Sequence, residues 1–427
     1  MTRQPKGTVR AGRWGLLAAF AALVAATQVL WLSYAPVTTR AADALGVSDG
    51  LVGDLAVVNP VLYVVLAIPA GRWLDRRFGL ALTTGAGLTA AGALLRATNP
   101  TSYTWALAGQ VVLSAGPPVV LNATTKVAAR WFPAPERTRA IAVGAGAQFL
   151  GILLAATTAG PLLDAGGLSL LLGAHAALAS VAALAVVVAL ALVPPAFAAD
   201  AGSAPSLGWL RHDRLLLQLA ALLFVGVGLF NALATWLDPI LEDLGMAGAG
   251  GILIATTTVA GLLGTAVLPD LAARRDRRRT VLLTTTALAV VVFPLVSVLP
   301  NAWLVGLALA VVGFFLLACL PIALDWSELE AGPERAATAT GFLLLAGNLG
   351  GAVLVLAVQV VVGNPYVALG AFAALALPGV LVASRLPARA GRHRDPEVAA
   401  VRGAVGAAAP DTPDVGAAVP DVPGEPP

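Results

Sequence analysis

Long apolar segments recur along this 427-residue chain, and they constrain its fold more than any other feature. A helix needs about 20 consecutive apolar residues to cross a bilayer, and a soluble protein cannot cover so many such segments with polar surface. Apolar residues make up 58% of the sequence and charged residues only 11%, in agreement with an integral membrane protein. The sequence therefore predicts an all-α membrane protein.

The apolar segments number twelve and form two groups of six. The first follows a basic amino terminus and is too long for the apolar core of a cleaved secretory signal, so we expect it to remain as a helix. The segments run at about 14–37, 51–70, 80–97, 103–128, 140–160, 168–193, 215–240, 249–271, 280–299, 302–324, 336–358 and 366–386. The predicted parts are an amino terminus (1–13), a six-helix bundle (14–193), a linker (194–214), a second six-helix bundle (215–386) and a disordered tail (387–427).

Lysines and arginines predict the side of the membrane that each end faces. If the chain crosses twelve times, all of the 26 lysines and arginines except Arg40 and Arg96 fall on one side. Positive residues concentrate on the cytoplasmic side of membrane proteins. We therefore expect both termini to be cytoplasmic, with 12 transmembrane helices in two pseudo-symmetric bundles.

The stretch GRWLDRRFG, from Gly71 to Gly79, separates the second and third segments. Its pattern G-x-x-x-D-R-x-x-G resembles the signature loop of major facilitator transporters and implies their fold. Asp75 is expected to face the start of a neighbouring helix, where unpaired backbone N–H groups favour an anion. Arg72 and Arg76 are expected to pair with acidic groups or lipid phosphates, and the two glycines to allow a tight turn. A gating latch is the favoured interpretation, and a basic loop that only sets topology is the alternative.

Polar and aromatic side chains within the segments predict a solute site between the bundles. Burying such side chains in a membrane costs free energy, so they usually face a cavity. Intervals of three place Gln28, Trp31 and Tyr34 on one face of the first helix, where the two rings can attract an ammonium group. An interfacial aromatic belt is the alternative for the rings, and helix packing is the alternative for each further candidate. The further candidates are Asn122, Gln148, Asn231, Trp236 and Asn348.

Charged residues are not evident at the centres of the segments. Asp325 and Glu328 lie toward the cytoplasmic end of the tenth segment and are further gating candidates. Without a central acid or base the sequence shows no proton relay, which favours facilitated diffusion or exchange over proton-driven pumping. One cysteine and three scattered histidines exclude a disulfide framework and argue against a metal site. No cofactor is expected.

Several runs narrow the resemblance within the major facilitator superfamily. They are WLSYAP at 31–36, YVVLAIPAGRWLD at 63–75, KVAARWFPAPERTRAIAVGAGAQFLG at 126–151 and LPIALDWSEL at 320–329. These runs are similar to the patterns of the FLVCR-like family, the feline leukaemia virus subgroup C receptor-related transporters. The resemblance covers most of the membrane region.

The resemblance implies transport of choline-like or ethanolamine-like cations, with haem export as another assignment within the family. Under it, Trp31 is the aromatic wall of an ammonium cage, and Gln148 and Asn348 serve the hydroxyl end of the solute. Asp325 and Glu328 match the acidic end of the family's tenth helix. The family has a second cage aromatic on the seventh helix, where this chain has a phenylalanine followed by an asparagine.

The expected function is secondary transport of a small organic solute by alternating access, with the solute site between the two bundles. An antiporter that exports drugs or metabolites is the main alternative, and a non-transporting membrane receptor is a remote one. Nothing resembles the Ser/His, paired-Asp or metal constellations of an enzyme. We expect a monomer in the cell (plasma) membrane, with a small-molecule substrate and the lipid bilayer as partners and no nucleic acid.

Overall fold

The computed structural model describes residues 6–197, 208–246, 249–299 and 301–389. Its regular secondary structure is helical throughout these residues, and ten helical spans are long and apolar enough to cross a membrane. The prediction of an all-α membrane protein is therefore confirmed. The disorder expected of the tail concerns mainly residues 390–427, which lie outside the described residues.

The first half of the chain begins with a helix that starts well before the predicted apolar segment. The helices of this half are α1 (Lys6–Trp31), α2 (Thr38–Leu45), α3 (Asp49–Thr98), α4 (Tyr103–Ser114), α5 (Pro117–Trp131) and α6 (Ala134–Leu192). A single 3-10 turn, Ala35–Val37, connects α1 to α2. The break between α4 and α5 falls at two adjacent prolines, because proline cannot continue the hydrogen bonding of the preceding helix.

The second half begins with a short helix that lies within the predicted linker. Its helices are α7 (Gly208–His212), α8 (Arg214–Asp243), α9 (Gly250–Arg274), α10 (Arg278–Val296), α11 (Ala302–Leu316), α12 (Cys319–Ala331), α13 (Ala336–Gln359) and α14 (Pro365–Ser384). Helix α8 packs along α13, as α1 packs along α6 in the first half. The first long helix of each half thus packs against a later helix of the same half.

Two helices are broken in the middle, where the sequence predicts loops. α3 has 50 residues and α6 has 59, whereas a helix crosses a hydrocarbon core of about 30 Å with about 20 residues. The break in α3 is at Arg77 (φ −140°, ψ 62°). The break in α6 is at Gly166 and Gly167, and Gly167 has a φ of 64°, which glycine adopts without strain. Each part on either side of a break is long enough to span the bilayer.

The stretch from Gly71 to Gly79 is helical except at Arg77, so the predicted tight turn at its two glycines is wrong. A Cβ at Gly71 would lie 2.8 Å from the carbonyl oxygen of Ala337, so glycine here lets α3 approach the start of α13. A Cβ at Gly79 would meet no atom within 4 Å. Gly71 is therefore a contact between the two halves, and Gly79 is not.

Candidate functional site

The two halves are joined at one end of the helical bundle, which we call the closed end. There, residues near Asp75 of α3, the end of α5 and the start of α6 meet the ends of α9 and α12 and the start of α13. The start of α1 and the end of α14 lie at the same end. Arg13 pairs with Glu136 at 2.7 Å, and Arg279 donates to the carbonyl oxygen of Ser384 at 2.7 Å.

Asp75, a residue of α3, lies against the start of α13, and the sequence predicts such a position at the start of a neighbouring helix. Its Oδ2 accepts hydrogen bonds from the backbone N–H (3.1 Å) and the hydroxyl (2.5 Å) of Thr338. Its Oδ1 accepts from the N–H of Ala337 at 3.3 Å. The first N–H groups of a helix lack partners within that helix, and the positive end of the helix dipole favours a carboxylate there. Asp75 of the first half thus caps a helix of the second half, and its gating role remains a prediction.

Lys126 completes this contact, although the sequence predicts it only as a positive charge near a loop. Its side chain is 1% exposed and pairs with Asp75 Oδ1 at 2.8 Å. The same ammonium donates to the carbonyl oxygen of Glu334 at 3.4 Å. Beside it, the hydroxyl oxygens of Thr125 and Thr340 are 2.6 Å apart. The signal available in the sequence was a lysine that follows two threonines inside an apolar segment.

A second group of polar contacts joins the start of α6 to α12. Arg137 Nη1 donates to Glu328 Oε1 at 2.8 Å, and the hydroxyl of Thr138 donates to Asp325 Oδ1 at 2.5 Å. Arg278 of the second half pairs with the other oxygen of Asp325 at 2.7 Å. The two acidic side chains are 2% and 4% exposed. Both predicted gating acids are therefore buried, and each binds a residue of the first half.

The two arginines that flank Asp75 do not join these contacts. Arg76 is exposed, and neither Arg72 nor Arg76 forms an ion pair with the residues that the structure describes. The Nε of Arg72 is buried without a hydrogen-bond partner among them. These arginines were expected to pair with acidic groups or with lipid phosphates. Within the described part of the chain, neither of them pairs with an acidic group.

The predicted face of the first helix is only partly present. α1 ends at Trp31, so Tyr34 lies beyond the helix and the prediction that it shares a face with Gln28 and Trp31 is wrong. Trp31 is half-buried, and its Nε1 donates to the carbonyl oxygen of Ala56 on α3 at 2.8 Å. Gln28 is buried. Tyr34 is 3% exposed, with its ring 5.5 Å from the guanidinium carbon of Arg96, so it lies inside the first half.

Besides Gln28, two of the predicted amides lie in the first half and differ in what they bind. Asn122 is fully buried, accepts from the hydroxyl of Tyr63 at 2.6 Å and donates to the carbonyl oxygen of Ala67 at 2.7 Å. Both ends of its amide are therefore hydrogen-bonded within the first half in this conformation, and its role in binding a solute remains a prediction. Gln148 on α6 is also buried, but its Nε2 has no hydrogen-bond partner among the described residues. Gln148 remains a solute-binding prediction.

The predicted residues of the second half lie along the contact of α8 with α13. Trp236 is half-buried and donates from Nε1 to the carbonyl oxygen of Val355 at 2.9 Å. Asn231 lies so close to Gly351 that a Cβ there would be 2.3 Å from its Nδ2. Asn348 donates to a carbonyl oxygen of its own helix at 2.8 Å. These contacts leave the role of the three side chains in binding a solute untested.

An aromatic contact links the halves next to two of these amides. The rings of Phe149 on α6 and Phe230 on α8 meet edge to face with their centroids 6.1 Å apart. Gln148 precedes Phe149 in the sequence, and Asn231 follows Phe230. The contact therefore brings the α6 and α8 segments that carry Gln148 and Asn231 near each other.

A fully buried arginine lies inside the first half. Arg96, one of the two exceptions to the predicted charge asymmetry, is 0% exposed. It donates to the carbonyl oxygen of Leu30 (2.9 Å), to Gln110 Oε1 (2.9 Å) and to the hydroxyl oxygen of Ser33 (2.6 Å). Arg96 lies near the end of its predicted segment, so it does not contradict the expectation about the segment centres, but its complete burial was not predicted.

Within the described residues, no group of three or more His, Cys, Asp or Glu side chains could hold a metal ion. A small cavity, about 10 Å³ in volume, lies inside the second half. Its lining is apolar apart from two threonines and a cysteine, and it includes none of the predicted solute-binding residues. The lining residues are Leu222, Val225, Gly226, Leu229, Leu282, Thr285, Thr286, Ala289, Leu316 and Cys319.

Comparisons with known protein sequences agree with this architecture. The family model described as Major Facilitator Superfamily matches residues 12–355. Solute carrier family 49 member A3 of Danio rerio is 30% identical over 376 residues, which cover 82% of this chain and 79% of that protein. Choline/ethanolamine transporter FLVCR2 of Homo sapiens is 24% identical over 388 residues, which cover 82% of this chain and 72% of that protein. The resemblance to the FLVCR-like family is confirmed.

Solved structures show the same fold at low sequence identity. The transporter FucP in the outward conformation has a TM-score of 0.70 at 16% identity and covers 86% of this chain and 97% of its own. The human organic anion transporter MFSD10 has a TM-score of 0.71 at 15% identity and covers 89% of this chain and 100% of its own. These structures confirm the major facilitator fold and carry no information about the solute.

Proposed function

Because this chain belongs to the major facilitator superfamily of secondary transporters, we propose that it carries a choline-like or ethanolamine-like organic cation across the cell (plasma) membrane by alternating access. It is a multi-pass membrane transporter and not an enzyme. The observation that carries the choice of solute is the similarity, over 82% of the chain, to a protein named a choline/ethanolamine transporter. We further propose that the protein works as a monomer.

Twelve crossings are the simplest topology for these helices. The broken helices α3 and α6 each contribute two crossings, because each exceeds the bilayer by more than a factor of two. The helix pairs α4–α5 and α11–α12 contribute one crossing each, since each pair forms one span. We place the closed end in the cytoplasm, because nearly all lysines and arginines are expected there. The likeness to a transporter in the outward conformation supports a site that is open to the outside.

An aromatic ring and neutral amides suit an organic cation that also has a hydroxyl group. A quaternary ammonium cannot donate a conventional hydrogen bond, but it is attracted to the electron-rich face of tryptophan. Trp31 offers such a ring at the end of α1, only partly buried. Gln148 Nε2 is a buried donor without a partner in the described chain. Leaving such a donor unsatisfied costs about 1–3 kcal/mol, so a solute oxygen bound there would be stabilising.

The contacts at the closed end can act as a latch because their net free energy is small. Asp75, Lys126, Asp325 and Glu328 are each less than a tenth exposed. In such buried pairs the attraction between charges is largely offset by the cost of removing them from water. When the closed end opens, water can reach the released charges and compensate for the lost pairs. Two conformations of similar free energy are what alternating access requires.

Uptake into proteoliposomes tests the proposed solute directly. The purified protein would be assayed with radiolabelled choline and ethanolamine, and with a cationic dye and an organic anion as representatives of exported compounds. We expect saturable choline uptake that unlabelled ethanolamine and tetramethylammonium inhibit. Transport of the dye or the organic anion without transport of either amine would instead support the exporter of drugs or metabolites.

A further inference from the structure

We propose that Arg96 is a positioning residue that holds the end of α1, and with it Trp31, in the orientation that binds the solute. Its effect on transport rests on the proposed function. Its effect on Trp31 rests only on the contacts of Arg96 and Trp31, so the two effects can be measured separately.

Arg96 has a positive charge that no carboxylate in the described part of the chain balances. Its side chain is fully buried, and burying a charge inside a membrane protein costs free energy. The acceptors around it are a carbonyl, a side-chain amide and a hydroxyl, all neutral. The ring of Tyr34, with its centroid 5.5 Å from the guanidinium carbon, adds a further neutral contact. A neutral side chain would avoid this cost, so we infer that the positive charge is needed to hold the groups that Arg96 contacts.

What Arg96 holds is the end of α1. Leu30 is the residue before the last in this helix, and the last carbonyl groups of a helix lack partners and form the negative end of its dipole. Arg96 Nη1 donates to the Leu30 carbonyl oxygen at 2.9 Å. Its Nη2 donates to the hydroxyl oxygen of Ser33, which itself lies 2.9 Å from Nδ1 of His175 on α6. Arg96 therefore ties the end of α1 to α3 and α6.

Trp31 lies between these two anchors. Leu30 precedes it directly and is bound at its backbone carbonyl, and Ser33 follows two positions later and is bound at its side-chain hydroxyl, so the chain is held on both sides of the indole. The ring is fixed separately, through the hydrogen bond of Nε1 to the carbonyl oxygen of Ala56. A planar guanidinium can reach three acceptors in fixed directions, whereas the single ammonium of lysine cannot. Arg96→Lys therefore keeps the charge and loses part of the positioning.

The first test needs no solute. The full-length protein would be labelled with 5-fluorotryptophan, and the fluorine NMR signal of Trp31 would be assigned by its loss in Trp31→Phe. We expect this signal to shift or broaden in Arg96→Gln and in Arg96→Lys, and the other tryptophan signals to stay in place. Arg40→Gln is the matched control, since Arg40 is exposed and pairs with Asp164 on the surface.

An unchanged Trp31 signal in Arg96→Gln would overturn the proposal, whatever the solute is. If Arg96→Gln does not fold, Ser33→Ala removes one of the two anchors and makes the same comparison. A general change of all the tryptophan signals in Arg96→Lys and Ser33→Ala would also overturn it, because it would indicate a structural role that is not specific to Trp31.

The second test measures choline transport. Losing a well-placed ring weakens ammonium binding by about 2- to 30-fold, so we expect Arg96→Gln to raise KM within that range and to leave the turnover at saturating choline unchanged. In a Trp31→Ala background the same substitution should raise KM no further, because both changes act on one contact. An equal rise in both backgrounds would overturn the proposal. A shifted Trp31 signal without transport of any amine would refute the proposed function and leave the positioning role intact.

Discussion

Replacing Asp75 by asparagine is expected to open the closed end of the transporter. Asparagine has nearly the shape of aspartate, but it is neutral, and one of its two acceptor oxygens becomes an NH₂ group. The NH₂ group would face either Lys126 or the N–H and O–H donors of Thr338. Either way a donor meets a donor, and the buried ammonium of Lys126 loses its counter-charge.

The magnitude follows from these two losses. Removing one partner of a buried ion pair typically costs about 3–5 kcal/mol, because the other charge stays buried. An unsatisfied buried donor costs about 1–3 kcal/mol more. Both costs fall on the closed conformation, since Lys126 regains water when the end opens. Even the lower value of about 3 kcal/mol shifts the balance between the conformations by about 100-fold.

Spin labels on opposite sides of the closed end would report this shift. Leu80 near the break of α3 and Thr280 near the start of α10 are both exposed and suit cysteine labelling in a Cys319→Ala background. Electron–electron distance measurements should show a longer distance in Asp75→Asn that becomes the main population. Choline turnover should fall more than the KM changes, because the slow step is the return to the closed conformation.

Two further variants control this experiment. Asp164→Asn makes the same chemical change in an ion pair whose acid is 67% exposed, and we expect no shift, because surface pairs contribute at most about 1 kcal/mol. Adding Lys126→Met to Asp75→Asn removes the unpaired ammonium and should restore part of the closed population. A distance distribution and a turnover equal to those of the parent in Asp75→Asn would refute the latch.

The remaining predictions concern the helix contact and the solute site. Gly71→Ala should weaken the closed end, since its Cβ would lie 2.8 Å from backbone atoms of α13, whereas Gly79→Ala, with open space around it, should leave the distance distribution unchanged. Trp31→Ala should raise the KM for choline by about 2- to 30-fold, and Trp303→Ala, at an 85% exposed position, should not affect uptake. Gln148→Leu should weaken inhibition of uptake by choline and leave inhibition by tetramethylammonium unchanged, because only choline has a hydroxyl group; equal losses for both would contradict the assignment.

The helices could be predicted because hydropathy depends on local composition. Their interruptions were predictable where the chemistry is local, as at the two prolines between α4 and α5 and at the charged and glycine-rich stretches that break α3 and α6. The end of α1 was not, because the carbonyl oxygen of Leu30 there binds Arg96, a residue far along the chain. The sequence analysis also did not predict that the stretch around Asp75 is helical. Charged side chains indicate contact with water, but they do not show where a helix ends.

The partners of the site residues depend on tertiary contacts that sequence spacing does not show. The position of Asp75 at a helix start was predictable from the helix dipole, but its counter-charge on Lys126 was not, because the two residues lie on different helices. Asn122 was expected to bind a solute because it is polar within an apolar segment. Polarity alone does not distinguish that role from helix packing, and in this conformation two neighbours on α3 hydrogen-bond to its amide.

The buried position of Arg96 had an indication in the sequence that is easily discounted. A single arginine near the end of an apolar segment fits the count for an outer loop equally well. Gln110 and His175, in two other segments, could have indicated a buried polar cluster. Only the structure shows that Gln110 binds Arg96 directly and that His175 is linked to it through Ser33.

Counterflow of tritiated choline into proteoliposomes preloaded with unlabelled choline tests most directly whether the protein is a carrier of such cations. A carrier that alternates between two conformations exchanges labelled for unlabelled solute faster than net flux occurs. The expected result is a transient accumulation of label above its equilibrium level, which disappears when the vesicles are not preloaded. Label that never rises above equilibrium in preloaded vesicles, with protein shown to be inserted and folded, would contradict it.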